Sequence, residues 1–352
     1  MKKKWISSFT ALAVVAAMIT GCNSNSNSNS SSESNSGTED KPTGKITVYI
    51  GLQEDHAVAA MKKFTADTGI EAEMIRMSAG EILAKVRAEK DNPKADVWYG
   101  GPADTYVQAV SEGLLEPYKS PIADKIDAKY KDPDGYWTGV YVGAVGFASN
   151  KEFLEKKGLE APKKWDDLLN PAFKGEVVMA DPASSGTAYT ALYTVLQVMG
   201  SEDKGFEYLT KLHPQVQQYT TSGAAPGRMV GMGEAGVGIL FAHDIIKYQE
   251  EGFENLVLTI PEDGTGYETG AIGIIKGSKK QELSQKFVDW TLSPEAQELG
   301  KTVGSFQNLT NSDAVGPEQA VKLDEINTID YDVAEAGKQR QRLIDKWSTE
   351  VK

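Results

Sequence analysis

Short β-favouring runs alternate with helix-like segments along the chain from Lys45 onward. Three runs have the apolar and β-branched character of buried strands: "ITVYI" (46–50), "EAEMIRM" (71–77) and "ADVWYG" (95–100). Helical patterns follow them over 58–68, from Ser78 onward and over 102–110. This alternation predicts a parallel sheet covered by helices.

A second set of strands is predicted further along the chain. "GEVVMAD" (175–181), "VQQYT" (216–220) and "AGVGIL" (235–240) each precede a helix start. Two unusually long β-favouring runs, 139–150 and 269–278, join the two sets. We therefore predict an α/β protein with two lobes connected by hinge strands. Helical patterns over 280–292, 294–302 and 333–351 complete the chain.

The N-terminus has the pattern of an export signal. Lys2–Lys4 form a basic start, and the apolar stretch 6–19 is too short to span a membrane comfortably. It ends in Ile19-Thr20-Gly21-Cys22, which resembles a bacterial lipobox, and Cys22 is the only cysteine of the chain. We expect residues 1–21 to be removed and Cys22 to be lipidated. The alternative is an ordinary signal peptide with a chance cysteine.

The segment from Cys22 to Gly44 is dominated by serine and asparagine. Such a segment cannot bury a core, so it predicts a flexible tether between a lipid anchor and a globular body. The expected location is the extracellular face of the cell membrane.

Composition narrows the range of partners. The 352 residues contain 40% hydrophobic and 25% charged residues, as in ordinary globular proteins, and carry a formal net charge of -13. An acidic chain is a poor match for nucleic acid, which attracts clustered lysine and arginine. A small anionic ligand stays compatible, because the field in a pocket can differ from the overall charge.

Candidate binding residues stand where the predicted strands end, which is where open α/β sheets bind ligands. They are Arg76, Ser78 and Gly101 in the first set, and Asp181, Ser185, Gly186, Thr187, Ser222, Gly223, His243 and Asp244 in the second. Several combine small hydroxyl residues with glycine at a helix N-terminus, where free N–H groups suit phosphate or carboxylate. Simple helix capping, such as a capping box over Ser78 and Glu81, explains the same residues equally well one by one.

His243 and Asp244 end a buried strand and open a helix. A catalytic dyad, metal ligands, a ligand-binding pair and a capping aspartate beside a packed histidine are all open readings. The motifs G-x-S-x-G, G-x-x-x-x-G-K-[ST] and H-E-x-x-H are absent from the sequence, as is any cysteine-rich metal pattern. We therefore expect no catalytic residues, no cofactor and no resident metal.

Four features together resemble the extracellular substrate-binding proteins of ABC importers, in the subgroup labelled ferric-iron-binding-like. They are the lipobox, "ADVWYGG" (95–101), "NPAFKGEVVMADPASSGTAY" (170–189) and "GEAGVGILFAHD" (233–244). The resemblance covers residues 45–352. It implies a two-lobed Venus-flytrap fold of the class II type that closes on a ligand and delivers it to a permease and its ATPase subunits.

The resemblance also bears on the ligand. Ferric-binding members carry two adjacent tyrosines where His243 and Asp244 stand, so the central iron ligands are missing here. His243, Asp244 and Glu268 are similar to the sugar-facing set of members that bind hexose phosphates. Ser78, Ser185, Thr187 and Ser222 are the candidates for the phosphate. Related members with similar turns bind 2-aminoethylphosphonate.

The predicted function is therefore capture of a phosphorylated small molecule, with a sugar phosphate as the predicted ligand, by a monomeric binding lipoprotein. The alternatives are a protein that binds Fe³⁺ or a ferric chelate, a phosphonate-binding protein, and an exported hydrolase using His243 and Asp244 with a serine. The predicted organisation is a signal peptide (1–21), a tether (22–44), lobe 1 (45–140 and 268–308) and lobe 2 (141–267 and 309–352).

Overall fold

Eleven strands and eleven α-helices form the part of the chain that the computed structural model describes, residues 44–352. The predicted signal peptide, Cys22 and the tether up to residue 43 lie outside the described residues. The strands are β1 (Gly44–Ile50), β2 (Ile70–Arg76), β3 (Val97–Pro102), β4 (Leu115–Glu116), β5 (Thr138–Asn150), β6 (Val177–Ala180), β7 (Val216–Thr220), β8 (Val237–Phe241), β9 (Leu256–Thr259), β10 (Tyr267–Ile275) and β11 (Asn308–Leu309). The helices are α1 (Glu54–Thr68), α2 (Ala79–Ala88), α3 (Ala103–Ser111), α4 (Lys151–Lys157), α5 (Gly186–Val198), α6 (Glu202–Leu212), α7 (Ala225–Gly231), α8 (Ala242–Glu250), α9 (Gln281–Leu292), α10 (Pro294–Gln297) and α11 (Val333–Glu350).

The strands follow the path β2-β1-β3-β10-β5-β8-β6-β7, with β4 beside β10 and with β9 and β11 beside β5. The pairs of β1 with β2 and β3, and of β6 with β7 and β8, are parallel, whereas β5 and β10 are antiparallel to their neighbours. We call β1–β4, β10 and β11 with α1–α3 and α9 the first lobe, and β6–β9 with α4–α8 the second lobe. The predicted two-lobed α/β fold is confirmed, and its lobe boundaries stay a prediction.

Strand β5 connects the lobes. Its first half pairs with β10 and β11, and its second half pairs with β8 and β9, so one continuous strand belongs to both. All of its residues are buried, which explains its uninterrupted β-favouring sequence. The second predicted hinge strand is β10, and it does not pair with strands of both lobes. It pairs with β3 and β4 of the first lobe and with β5. The chain crosses just before it, where Val145 N–H donates to Gly266 O at 2.9 Å.

Each lobe has an apolar core that fixes the helices on the sheet. The first packs Phe64, Tyr99 and Phe287 together, and the second packs Phe147, Trp165 and Trp347. Two predicted helices differ in extent. Helix α1 begins at Glu54 rather than at 58, since acidic residues in its first turn suit a helix N-terminus. The predicted helix 294–302 is α-helical over Pro294–Gln297 and 3₁₀ over Glu298–Val303.

No helix within residues 44–352 combines the length and the apolar character that a bilayer-spanning segment needs.

Candidate ligand-binding site

The loops that follow β1, β2, β3, β6, β7 and β8 meet around one cavity between the lobes. The space free of protein atoms, including the part open to solvent, is about 510 Å³. Its lining residues are Gly51, Leu52, Gln53, Arg76, Met77, Ser78, Ala79, Gly101, Pro102, Tyr141, Ser185, Gly186, Thr187, Ser222, Gly223, Ala224, Phe241, His243, Asp244, Glu268 and Gln307. The carboxyl ends of parallel strands thus gather the predicted residues at one place.

Hydroxyl groups from three turns form one part of the lining, namely Ser78, Ser185, Thr187 and Ser222. Gly223 permits this convergence. A Cβ atom at Gly223 would lie 2.1 Å from Thr187 Oγ1 and 2.9 Å from Ser185 Oγ, so a side chain there would displace both hydroxyls. These turns lead into α2, α5 and α7, whose first N–H groups carry partial positive charge. This end of the cavity is suited to an anion.

Capping accounts for part of this pattern only. Ser185 Oγ accepts from Ala188 N–H at 3.4 Å, and Ser78 N–H donates to the Glu81 carboxylate at 3.0 Å. Both serines therefore cap a helix and also line the cavity. Ser222 does not cap, because α7 begins after Ala224.

A cluster of polar side chains, His243, Asp244, Glu268 and Gln307, forms another part of the lining. His243 Nε2 lies 3.6 Å from Asp244 Oδ1, 3.7 Å from Glu268 Oε1 and 3.5 Å from Gln307 Nε2. All four side chains are buried. We call these four residues the polar floor.

The imidazole of His243 is held by its neighbours in the fold. Its ring stacks on Phe241 at a centroid distance of 5.3 Å and meets Tyr141 edge-on at 6.3 Å. Gly143 of β5 makes the necessary room, since a Cβ there would lie 2.3 Å from His243 Nδ1. Nδ1 is buried and has no hydrogen-bond partner among the described residues. Asp244 is not the helix cap that the sequence left open, because it lies in the first turn of α8 after the N-cap Phe241.

Burial governs the ionisation of the polar floor. It lowers the pKa of His243, although the Asp244 carboxylate opposes this change. Burial also raises the pKa of Glu268 well above its ordinary value, and the negative charges of Asp244 and Asp104 act in the same direction. Burial raises the pKa of the Tyr141 phenol well above its ordinary value, and an ionised Glu268 would act in the same direction. His243 is therefore neutral near pH 7, and Tyr141 keeps its proton.

Arg76 is the one arginine or lysine among the lining residues of the described chain. Its Nε–H donates to Leu52 O at 2.7 Å, which anchors the guanidinium at the end of β2. The side chain is otherwise exposed, so its terminal nitrogens are accessible to a ligand.

Direct contacts join the two lobes over the cavity. Gln53 Nε2 donates to Asp244 Oδ1 at 2.6 Å, Gly80 N–H donates to Ser184 O at 3.0 Å, and Ser78 Oγ donates to Thr221 O at 3.2 Å. Gly80 is needed for the close approach, because a Cβ there would lie 2.3 Å from Ala183 O. The structure therefore shows the cleft with its lobes in contact.

Asp181 is the predicted site residue that the structure places elsewhere. Its carboxylate accepts from Ala183 N–H at 2.9 Å and from the Lys352 ammonium, and it does not line the cavity. The sequence prediction missed Gln53, Tyr141 and Gln307. Gln53 directly follows the first strand end and could have been found there. Tyr141 lies within the long strand β5, and Gln307 lies before β11, so neither carries a strand-end signal.

Over residues 44–352, no three histidine, cysteine or acidic side chains are grouped so as to hold a metal ion.

The cleft between two α/β lobes, with helix starts and a buried polar cluster facing each other, defines a solute-binding protein. The chain belongs to the bacterial extracellular solute-binding proteins, whose family model matches residues 92–327. It is thus the solute-binding protein of an ABC importer, and its partners are a permease and an ATPase. The binding protein itself works at the extracellular side of the membrane. Its family and structural neighbours bind solutes and are not enzymes.

Similar proteins cover nearly the whole body. The periplasmic binding protein AfuA of Actinobacillus pleuropneumoniae, solved with fructose-6-phosphate bound, is 42% identical with a TM-score of 0.85, over 88% of this chain and 98% of its own. The periplasmic binding protein P5PA is 38% identical with a TM-score of 0.85, over 88% and 100%. An uncharacterized protein of Haemophilus influenzae is 43% identical over 88% of this chain and 91% of its own.

Proposed function

We propose that this protein captures a sugar phosphate between its lobes and delivers it to the permease. The observation that carries this proposal is that one cavity is lined by two sets of side chains, hydroxyls at helix starts and the buried polar floor. A phosphorylated sugar has the same division, with an oxyanion at one end and a polyol at the other.

The phosphate is assigned to Ser78, Ser185, Thr187 and Ser222. A phosphate monoester needs several O–H and N–H donors, and serine or threonine hydroxyls beside helix N-termini supply them. The Ser78 hydroxyl donates to Thr221 O in this structure, so it must release that bond to donate to the phosphate. Arg76 adds a positive charge, which the acidic chain otherwise lacks at the cavity. Gly186 and Gly101 allow the wall around these hydroxyls to pack closely, because a Cβ at Gly186 would lie 2.5 Å from Pro102 Cδ and one at Gly101 would lie 2.8 Å from Ala79 Cβ.

The polyol is assigned to the polar floor. Histidine can donate or accept a hydrogen bond, the carboxyl groups can bind sugar hydroxyls, and the Gln307 amide can both donate and accept. The bound fructose-6-phosphate in AfuA, which is 42% identical to this chain, supports a sugar phosphate as the ligand.

The floor is poorly suited to Fe³⁺. A hard ferric ion is bound best by phenolate and carboxylate oxygen, and Tyr141 is the tyrosine that lines the cavity. Burial raises the pKa of Tyr141, which opposes formation of a phenolate.

Calorimetric titration tests the proposal. The panel is fructose 6-phosphate, glucose 6-phosphate, free fructose, inorganic phosphate, 2-aminoethylphosphonate and ferric citrate. We expect micromolar or tighter binding of a hexose phosphate, with free fructose and inorganic phosphate at least a hundredfold weaker, because each engages one end of the cavity. Tight binding of the phosphonate or the ferric chelate alone would overturn the proposal in favour of that ligand.

We also propose that the mature protein is a monomer anchored through a lipid on Cys22. Radiolabelled palmitate fed to the producing bacterium should label the wild-type protein and not Cys22→Ser. Labelling of both proteins, or of neither, would contradict the anchor.

A further inference from the structure

The protonation state of Glu268 decides what the polar floor can recognise, and this inference rests on the proposed function. If Glu268 were an ionised carboxylate, it would only accept hydrogen bonds from the sugar hydroxyls. In the structure its side chain is 3% exposed and lies on β10, directly opposite Gly143 in the β5 register. A carboxylate this deeply buried requires cations or donors around it.

Such partners are lacking in the described part of the chain. The basic group within 4 Å of Glu268 is His243, at 3.7 Å, and that same Nε2 lies 3.6 Å from Asp244. One imidazole therefore faces two carboxyl groups. Arg340 forms an ion pair with Asp104 of α3 instead, with Arg340 Nε 3.5 Å from Asp104 Oδ1.

The neighbouring hydroxyls form no hydrogen bond with Glu268 in the described part of the chain. Tyr106 on α3 donates to Ala271 O at 2.7 Å, whereas Tyr141 on β5 accepts from Gly101 N–H at 3.1 Å and keeps its own proton. The charges that face Glu268 from α8 and α3 are the carboxylates of Asp244 and Asp104, which destabilise a further negative charge. The pKa of Glu268 is raised accordingly.

We propose that Glu268 binds the ligand as a neutral carboxylic acid and is the residue that makes the floor compatible with an anionic ligand. Its proton is then donated to an oxygen acceptor of the bound polyol. When Glu268 is neutral, the positive charge of Arg76 balances the negative charge of Asp244 in the lining. No excess negative charge then opposes binding of the phosphate. Ionisation of Glu268 would remove the donor and add a charge of the ligand's own sign.

The sign of the pH dependence follows. The binding form of Glu268 is the protonated one, so affinity is constant below its pKa and falls as pH rises through it, by up to tenfold per pH unit. Ligand phosphate titrates near pH ~6 as well. Glu268→Gln provides the matched control, because it keeps an uncharged donor and leaves the phosphate titration unchanged.

Two measurements test the inference together. Carboxyl-carbon NMR of the free protein, with Glu268→Gln to assign the resonance, should show a protonated Glu268 at pH 7. Calorimetry with fructose 6-phosphate between pH 5.5 and 9.5 should then compare the affinities of Glu268→Gln and the wild type. The ratio should rise in favour of Glu268→Gln over the pH range in which NMR shows Glu268 losing its proton. It should stay constant wherever NMR shows Glu268 protonated. Glu268→Ala should bind about tenfold more weakly than Glu268→Gln, because it lacks the donor.

The proposed ligand and the proposed protonation state of Glu268 can be refuted independently. A protonated Glu268 in a protein that binds no sugar phosphate would refute the proposed ligand and leave the acid form of Glu268 supported. An ionised Glu268 at pH 7 overturns the inference, whatever the ligand. So does binding of fructose 6-phosphate with Glu268→Gln no better than Glu268→Ala at every pH.

Discussion

At the scale of single residues, glycines and amides that the sequence did not single out hold the candidate site in shape. His243 and Asp244 were visible in the sequence because they end a buried strand. Gly143, which makes room for the imidazole, and Gln53, which reaches Asp244 from the other lobe, act through contacts that arise only after folding.

Gly143→Ala is expected to reduce affinity for fructose 6-phosphate at least tenfold. The added Cβ would lie 2.3 Å from His243 Nδ1, so the imidazole must leave its position. Calorimetry measures the loss. Gly146→Ala on the same strand is the control, because its Cβ would meet Leu258 Cδ1 at 3.0 Å and Thr259 O at 3.2 Å, neither of which belongs to the cavity lining. Equal loss in both variants would assign the effect to β5 as a whole.

Gln53→Ala is expected to weaken binding about tenfold, mainly through faster dissociation. A hydrogen bond from the Gln53 amide to a carboxylate contributes about 1.5–3 kcal/mol, and this bond forms only when the lobes meet. Stopped-flow kinetics measures both rate constants. In a double-mutant cycle with Asp244→Asn, the coupling energy should exceed about 0.5 kcal/mol. Strictly additive effects would show that the contact is not energetically linked to binding.

At the scale of elements, the sequence predicted what depends on local pattern. The order of strands and helices, β7 at 216–220 and the length of β5 all followed from periodicity and β-branched content. What could not be predicted is long-range. The position of Gln307 depends on how the chain returns to β5 after α10, and α11 crosses from α3 of the first lobe to α5 and α6 of the second.

The close approach of α2 to the loop before α5 gives a test of lobe closure. Gly80→Ala places a Cβ 2.3 Å from Ala183 O across the cleft, a clash that disappears when the lobes separate. We expect the variant to keep its unfolding free energy within about 1 kcal/mol, since an alanine suits a helix. Small-angle X-ray scattering should show ligand-induced compaction in the wild type and little in the variant. Full compaction of Gly80→Ala would refute the role of this contact.

A buried ion pair ties α11 to both lobes. Arg340 lies 3.5 Å from Asp104 of α3, donates to Pro182 O at 3.4 Å, and stacks over Tyr189 of α5 at 4.8 Å. Arg340→Met should lower the free energy of unfolding by about 3–5 kcal/mol, because it leaves Asp104 buried and unpaired. Urea denaturation measures this loss. Adding Asp104→Asn should recover part of it, and a further loss in the double variant would contradict the pairing.

At the scale of the whole molecule, the proposed capture of an anion by an acidic protein depends on local arrangement rather than on net charge. The chain carries a formal charge of -13, yet its cavity collects hydroxyls, helix N-termini and Arg76. The family match assigns the protein to solute capture outside the cell. The donors in the cleft support the ligand class that we propose.

A crystal structure of the complex with fructose 6-phosphate tests the central claim most directly. We predict phosphate oxygens within hydrogen-bonding distance of Ser78, Ser185, Thr187 and Ser222, with the sugar hydroxyls against His243 and Glu268. Phosphate density at the polar floor, or a cleft that binds no sugar phosphate at millimolar ligand, would contradict the account.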